Sequence, residues 1–276
     1  MHRSGTSMLT RTLRGFGFFM GRGTTVNEEC RFTNALNQWV FGQGSATWER
    51  PEGVDAVLGD VDLSDLISDY LSGVINGPSS VGYLGVLRWL RYRSMFRIAE
   101  PWGWKDPRNT YTLPLWLRVF PNAKVLHIMR HGVDVAESLR LRRQAAAARA
   151  AQRYRRGRWL YVNNPLAPKR SGFAHSIRVG GLDGGLELWE AYTARAQEHV
   201  QRLDQRALEL RYESLLEDPL PNLERVLEFC GLDAPEKSLR EEAAKFRSDR
   251  AYAHRGDSAL NEYARLVSAR LGRFGY

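Results

Sequence analysis

Met1-His2-Arg3-Ser4-Gly5-Thr6-Ser7-Met8-Leu9-Thr10-Arg11-Thr12-Leu13 opens the chain, and its two halves follow different rules. Arg3 to Ser7 is polar and turn-prone, whereas Met8, Leu9 and Leu13 fall at helical spacing. A loop therefore runs straight into a helix N-terminus. There the first backbone N–H groups lack carbonyl partners and the helix dipole favours an anion. Gly5 lets the backbone approach a ligand closely. Ser4, Thr6 and Ser7 add hydroxyl donors, and Arg3 adds a guanidinium fork. The combination reads as an anion cradle, although the same residues also suit an ordinary Ser/Thr-capped helix start.

The stretch differs from the nucleotide-binding pattern G-x-x-x-x-G-K-[ST], because no lysine follows the glycine. Phosphate loops of open α/β sheets hang from a buried strand. Only Met1 and His2 precede Arg3, so a short apolar strand ahead of Met1 is expected.

At 276 residues the chain is long enough for a substantial core, and a single domain over 1–276 is expected. Its hydrophobic content of 43% and aromatic content of 11% exclude a disordered chain. A net charge of +9 suits an anionic ligand, nucleic acid or an acidic membrane face. Cys30 and Cys230 are two cysteines far apart, which make neither a disulfide framework nor a metal cluster. No apolar run reaches membrane-spanning length, and a cytoplasmic location is the expectation.

Further along, glycines between Arg14 and Gly23 end the first helix. Phe32, Leu36, Trp39 and Val40 predict a helix from Asn27 as N-cap to Phe41. Residues 43–59 read as a loop, 63–75 as a helix, 84–96 as a helix, 102–108 as a short strand ending in a loop, and 113–120 as a helix. Lys124 to Met129 is the clearest strand, with a helix from Val135. Residues 144–158 are Ala/Arg-rich and basic, suiting an exposed helix or a flap. Residues 161–185 read as a loop over the site, and 186–203 as an amphipathic helix. Ala207 to Tyr212 is a second strand, with helices expected over 223–230, over 236–246 and from Ser258. Alternating helices and short apolar strands imply an α/β fold with a parallel sheet.

A second anion pocket is marked by Arg130, at the C-terminal end of a strand, where open α/β sheets bind ligands. Ser138 and Arg142 follow, one helical turn apart and on one face.

Together the two segments resemble the sulfotransferases that use 3′-phosphoadenosine 5′-phosphosulfate (PAPS), and more closely the tyrosylprotein-sulfotransferase-like branch with its bacterial relatives. Arg3-Ser4-Gly5-Thr6-Ser7 resembles the 5′-phosphosulfate loop, and Arg130 with Ser138 the 3′-phosphate motif. Trp104-Lys105-Asp106-Pro107 resembles that branch's Lys-Asp-Pro segment, Glu29-Cys30-Arg31 its Glu-x-Arg element, and Leu210-Arg211-Tyr212-Glu213 its later strand-to-helix stretch.

The resemblance implies a P-loop-like three-layer α/β/α fold with a central parallel sheet, and sulfuryl transfer from PAPS to a hydroxyl or amine acceptor. It implies that Arg3, Ser4, Gly5, Thr6, Ser7, Arg130, Ser138 and Tyr212 bind the co-substrate; Arg142 joins them through its place in the second anion pocket, although a solvated helix Arg reads the same. Lys105, with Arg3, would stabilise the leaving phosphate, and Glu29 would be the general base, with Glu28 as the competing assignment. Histidine is the base in the cytosolic sulfotransferases. Here His127 sits in a strand, His131 adjoins Arg130, and His2, His175, His199 and His254 have no motif around them. No metal is expected, since no HExxH or Cys/His cluster occurs. The acceptor, whether protein, carbohydrate, lipid or small molecule, is left open, and no specific nucleic acid is expected. The runners-up are a non-catalytic nucleotide- or nucleic-acid-binding protein and a P-loop kinase.

Overall fold

Apolar residues at helical spacing make helices of most of the chain. A computed structural model describes residues 1–164, 173 and 176–276. Contacts divide the chain into two compact units. The first holds Met1, Arg3–Arg130 and Tyr192–Tyr252; the second holds His2, His131–Ala191 and Ala253–Tyr276.

In chain order the first unit contributes α1 (Thr6–Gly15), α2 (Arg31–Gln43), α3 (Gly53–Gly59), α4 (Val61–Asn76), α5 (Val81–Tyr92), α6 (Asn109–Val119) and β1 (Val125–Met129). The second unit follows with α7 (Gly132–Arg156), α8 (Arg158–Asn163) and the start of α9 (Leu182–Leu203). The chain re-enters the first unit within α9 and adds β2 (Ala207–Arg211), α10 (Tyr212–Glu217), α11 (Pro219–Cys230) and α12 (Glu236–Ala243). It ends in the second unit with α13 (Ser258–Leu266) and α14 (Ser268–Gly272).

The fold is thus a mostly helical α/β arrangement. Among the described residues the sheet has two strands, with β1 parallel to β2 in the register Val125↔Ala207 to Met129↔Arg211. Parallel neighbours need a long crossover, and the segment from α7 into α9 supplies it. His127 and Glu209 are register partners, with His127 Nδ1 2.8 Å from Glu209 Oε2. Burial lowers the His127 pKa, and the hydrogen bond from His127 lowers that of Glu209.

Two apolar cores fill the first unit. One gathers Leu36 and Val40 of α2, Ile67, Leu71 and Ile75 of α4, Tyr83 and Leu84 of α5, and Leu115 and Trp116 of α6. The other surrounds the sheet: Leu9 and Leu13 of α1 meet Ile128, Leu210, Leu215, Leu223 and Val226. Burial on this scale is the dominant stabilising term, at roughly 25 cal/mol per Å² of apolar surface. In the second unit, Gly132 leaves room for Leu186, Trp189 and Leu271, each within about 3 Å of where its Cβ would stand. Trp189 meets Phe274 edge-on, and Glu190 binds Arg270 and Arg273.

Several boundaries differ from the sequence reading. Asn27 is not an N-cap. The helix begins at Arg31 behind Cys30, because residues 24–30 turn back on themselves, with Thr25 N donating to Glu29 O and Glu28 N to Thr25 O. The loop expected over 43–59 contains α3. The helix expected over 84–96 begins earlier, kinks at Gly85 (φ 72, ψ 164) and stops at Tyr92. Residues 102–108 form no strand: Trp102 makes a single parallel bridge to Phe19, and Pro107 withholds an N–H from any ladder. The basic run 144–156 continues α7 as helix. Residues 165–172, 174 and 175, including His175 and much of the loop expected over 161–185, lie outside the described residues.

One buried polar network joins α2 to α6. The carboxamide oxygen of Asn37, which is fully buried, accepts from Thr112 Oγ1 and Trp116 Nε1, both at 2.8 Å. Its Nδ2 donates to Asn109 Oδ1 at 2.8 Å, an atom that also accepts from Trp104 Nε1 at 3.1 Å. Replacing Asn37 by Leu keeps the branched shape but strands the Trp116 donor and leaves Thr112 only its longer bond to Arg108 O at 3.3 Å. We predict a loss of about 3 kcal/mol in denaturant unfolding, and a loss below about 1 kcal/mol would show that the network relaxes without it.

Candidate active site

The opening loop enters α1 without a side-chain cap. Gly5 is the N-cap at φ 87, and neither Ser4 nor Thr6 bonds to the helix start. Among the described residues no Ser or Thr side chain caps the helix; Met8 N donates to Gly5 O at 3.0 Å, and no side chain occupies the Thr6 and Ser7 amides. The Ser4 hydroxyl is buried and makes no hydrogen bond among the described residues. Arg3 also takes a left-handed backbone, at φ 68, which costs a residue with a Cβ about 1 kcal/mol or more.

Tyr212, where β2 passes into α10, explains the glycine. A Cβ on Gly5 would stand 2.2 Å from Tyr212 Cδ2. The ring is buried, and the Arg130 guanidinium lies over it, 4.8 Å from its centre. Arg130 Nη1 also donates to Arg3 O at 3.3 Å. The ends of β1 and β2 thus deliver Arg130 and Tyr212 to the loop, as expected for groups at the C-terminal edge of a parallel sheet.

A second group meets the same loop through Asn27. Its carbonyl accepts from Ser7 Oγ at 2.7 Å and from Lys105 Nζ. Lys105 also pairs with Glu29 Oε1 at 3.3 Å, and Asn34 Nδ2 holds Glu29 Oε2 at 3.1 Å. Glu29 is buried. Burial lowers the Lys105 pKa from its usual 10.5, while the neighbouring Glu29 pulls it back up. Glu28 is committed elsewhere: its carboxylate binds Arg14 at 2.9 Å and approaches Arg11 at 3.8 Å. The geometry separates the two glutamates, with Glu29 turned to Lys105 and Glu28 to α1.

Arg3, Ser4, Gly5, Thr6, Ser7, Glu29, Lys105, Arg130 and Tyr212 all belong to the first unit. Ser138 and Arg142 belong to the second, half-buried and one turn apart on α7. A cleft of about 430 Å³ in the first unit is lined by Arg14, Phe18, Phe19, Met20, Thr24 and Arg88.

His254, which has no motif around it in the sequence, is buried. Its backbone N donates to Asp134 Oδ1 at 2.8 Å, and its Nδ1 lies 3.2 Å from the same oxygen. Its ring stacks on His131 at 4.0 Å and 16°. The three side chains offer ligand atoms within 4.8 Å of one another.

Sequence reasoning missed Asn27, Asn34 and Asn37. A backbone carbonyl carries no sequence signal. An Asn beside Leu36 and Val40 on the apolar face of a helix was a visible one, because a buried amide demands partners.

The family model described as the Sulfotransferase family matches residues 1–236. No curated protein and no solved structure matches the chain.

Gly5→Ala should cost roughly 2–4 kcal/mol, from left-handed strain plus the clash with Tyr212. Since the clash needs both side chains, Gly5→Ala in a Tyr212→Ala background should cost at least about 1 kcal/mol less. Equal costs in thermal unfolding of the two backgrounds would show that Tyr212 does not press on Gly5.

Proposed function

The chain belongs to the sulfotransferase family, and we propose that it transfers a sulfuryl group from PAPS to a hydroxyl or amine acceptor. The observation that carries this reading is the junction at Asn27. One carbonyl ties the anion loop, through Ser7, to the buried Glu29–Lys105 pair. A phosphate cradle beside a carboxylate and a desolvated lysine is what in-line transfer from a phosphosulfate requires.

In that reaction a bond forms between the acceptor oxygen or nitrogen and sulfur. The bond between sulfur and the 5′-phosphate oxygen breaks, and the acceptor proton passes to Glu29. Positioning and charge stabilisation dominate such transfers. Arg3, the Thr6 and Ser7 amides, and the Ser4 and Thr6 hydroxyls are assigned to the 5′-phosphate; the Ser7 hydroxyl, whose one proton goes to Asn27 O, anchors the loop and reaches the phosphate only by leaving that carbonyl. Lys105 is the cation and acid for the leaving oxygen. Arg130, Ser138 and Arg142 are assigned to the 3′-phosphate, and Tyr212 to the nucleotide as well as to Gly5. Fixed cations take the part a metal plays in a kinase, so no metal is assigned. The family match crosses both units, which supports one sulfotransferase domain with the three-layer architecture of its relatives. The absent loop lysine disfavours a P-loop kinase, and the match disfavours a non-catalytic binding protein. Among the described residues no helix is long and apolar enough to cross a membrane.

Adenosine 3′,5′-bisphosphate should raise the melting temperature where ATP with Mg²⁺ does not, and Arg130→Ala should abolish the shift. Absence of any preference for the bisphosphate would sink the assignment.

Glu29→Gln should keep the bisphosphate shift and lower kcat at least a hundredfold, about the contribution of a general base. A full loss of the bisphosphate shift in Glu29→Gln would make Glu29 a structural partner of Lys105 instead.

Lys105 must be protonated to serve the leaving group. Activity should therefore fall as pH rises through the lowered Lys105 pKa, below the usual 10.5. Lys105→Arg should remove that alkaline limb. A limb unchanged in the variant would assign it to another group.

A further inference from the structure

No Asp or Glu lies between Glu137 and Asp183, so the stretch holding α8 and most of α7 is purely basic. Arg149, Arg153 and Arg156 recur at i, i+4 and i+7 of α7, on one face, and Arg155 and Arg158 adjoin them. All five are exposed. Immediately after them, α8 turns Trp159, Leu160 and Val162 to solvent, at 73%, 66% and 63% of full exposure. Ile177 is exposed as well, at 78%.

These residues are not loose ends. Tyr161 of the same short helix meets Tyr154 of α7 edge-on at 5.5 Å, and Phe173 closes the cluster at 5.1 Å from Tyr154 and 6.2 Å from Tyr161. The aromatic anchor holds α8 by one side and presents its other side outward. A clustered apolar face rimmed by cations is uncommon on a free surface.

We propose that the end of α7 and the exposed side of α8 dock on the surface of an anionic phospholipid bilayer. The charge complementarity is one-sided: an unbroken basic run fits phosphate headgroups, and each Arg near such a surface strengthens binding about fivefold. The apolar residues decide between anionic partners. A soluble polyanion has no use for Trp159, Leu160 and Val162, whereas the headgroup–acyl boundary takes up Trp and aliphatic side chains beneath a layer of Arg. Nothing in α8 is long enough to span, so the chain would lie on the membrane surface.

The test is co-sedimentation of the full chain with vesicles of phosphatidylcholine alone or of equimolar phosphatidylcholine and phosphatidylglycerol. The anionic vesicles should bind the chain at least about tenfold better, and high salt should release it. Two variants, R153E/R156E and W159S/L160S/V162S, should each lose about tenfold or more in vesicle affinity while keeping the wild-type melting temperature. A Trp159→Phe variant should lose the blue shift of fluorescence that accompanies binding. Equal binding to both vesicle types, or binding to neither, would overturn the proposal. So would unchanged vesicle binding by W159S/L160S/V162S combined with full competition by heparin, which would assign the basic run to soluble polyanions.

Discussion

The carbonyl oxygen of Asn27 accepts from Ser7 and from Lys105, and the candidate site depends on that shared acceptor. Ser7 belongs to the anion loop, Asn27 to the turn that carries Glu29, and Lys105 to the segment before α6. Three pieces of chain distant in sequence are thereby registered to within a hydrogen bond. A buried ammonium is costly unless its donors are matched, so Lys105 cannot be satisfied by Glu29 alone. The carbonyl supplies a second acceptor while leaving Glu29 its contact with Asn34. This division of labour keeps a carboxylate and a lysine side by side with neither wholly consumed by the other.

Two supports hold that junction. From below, the Asn37 network pins Trp104 and Asn109, on either side of Lys105 and Asp106, to α2. The helix that follows Glu29 and the segment that carries Lys105 therefore share one polar core. From the sheet, β1 and β2 deliver Arg130 and Tyr212 to the loop, where the ring lies against Gly5 and under the guanidinium. The left-handed backbone at Arg3 and Gly5 is strain that such packing overdetermines, as is common where a backbone must face a ligand. Glu28, turned onto Arg11 and Arg14, fixes the orientation of the turn and so of Glu29.

Much of this was legible in the residues. The switch from polar loop to helical spacing at Met8 placed α1, and the apolar run before Arg130 placed β1. Leu36 with Val40 placed α2, although it starts three residues later than Asn27 as a cap suggested. That error has a physical cause: Asn27 has the side chain of a cap, but its carbonyl was already required by Ser7 and Lys105. The expected strand over 102–108 failed similarly. Its aromatics, Trp102 and Trp104, serve packing and hydrogen bonding to the helical core rather than a ladder.

By itself the sequence determined the kinds of chemistry present: an anion-binding loop at a helix start, a cationic residue ending a strand, a Lys-Asp-Pro segment and a Glu-x-Arg element. Periodicity and residue type are local properties, so they survive without a fold. Only the tertiary structure decided which glutamate faces Lys105, why position 5 admits no side chain, and that a backbone carbonyl joins the site together. Those are contacts between residues up to 207 positions apart, as for Gly5 and Tyr212. Their energies depend on distance and burial, which no pattern along the chain encodes.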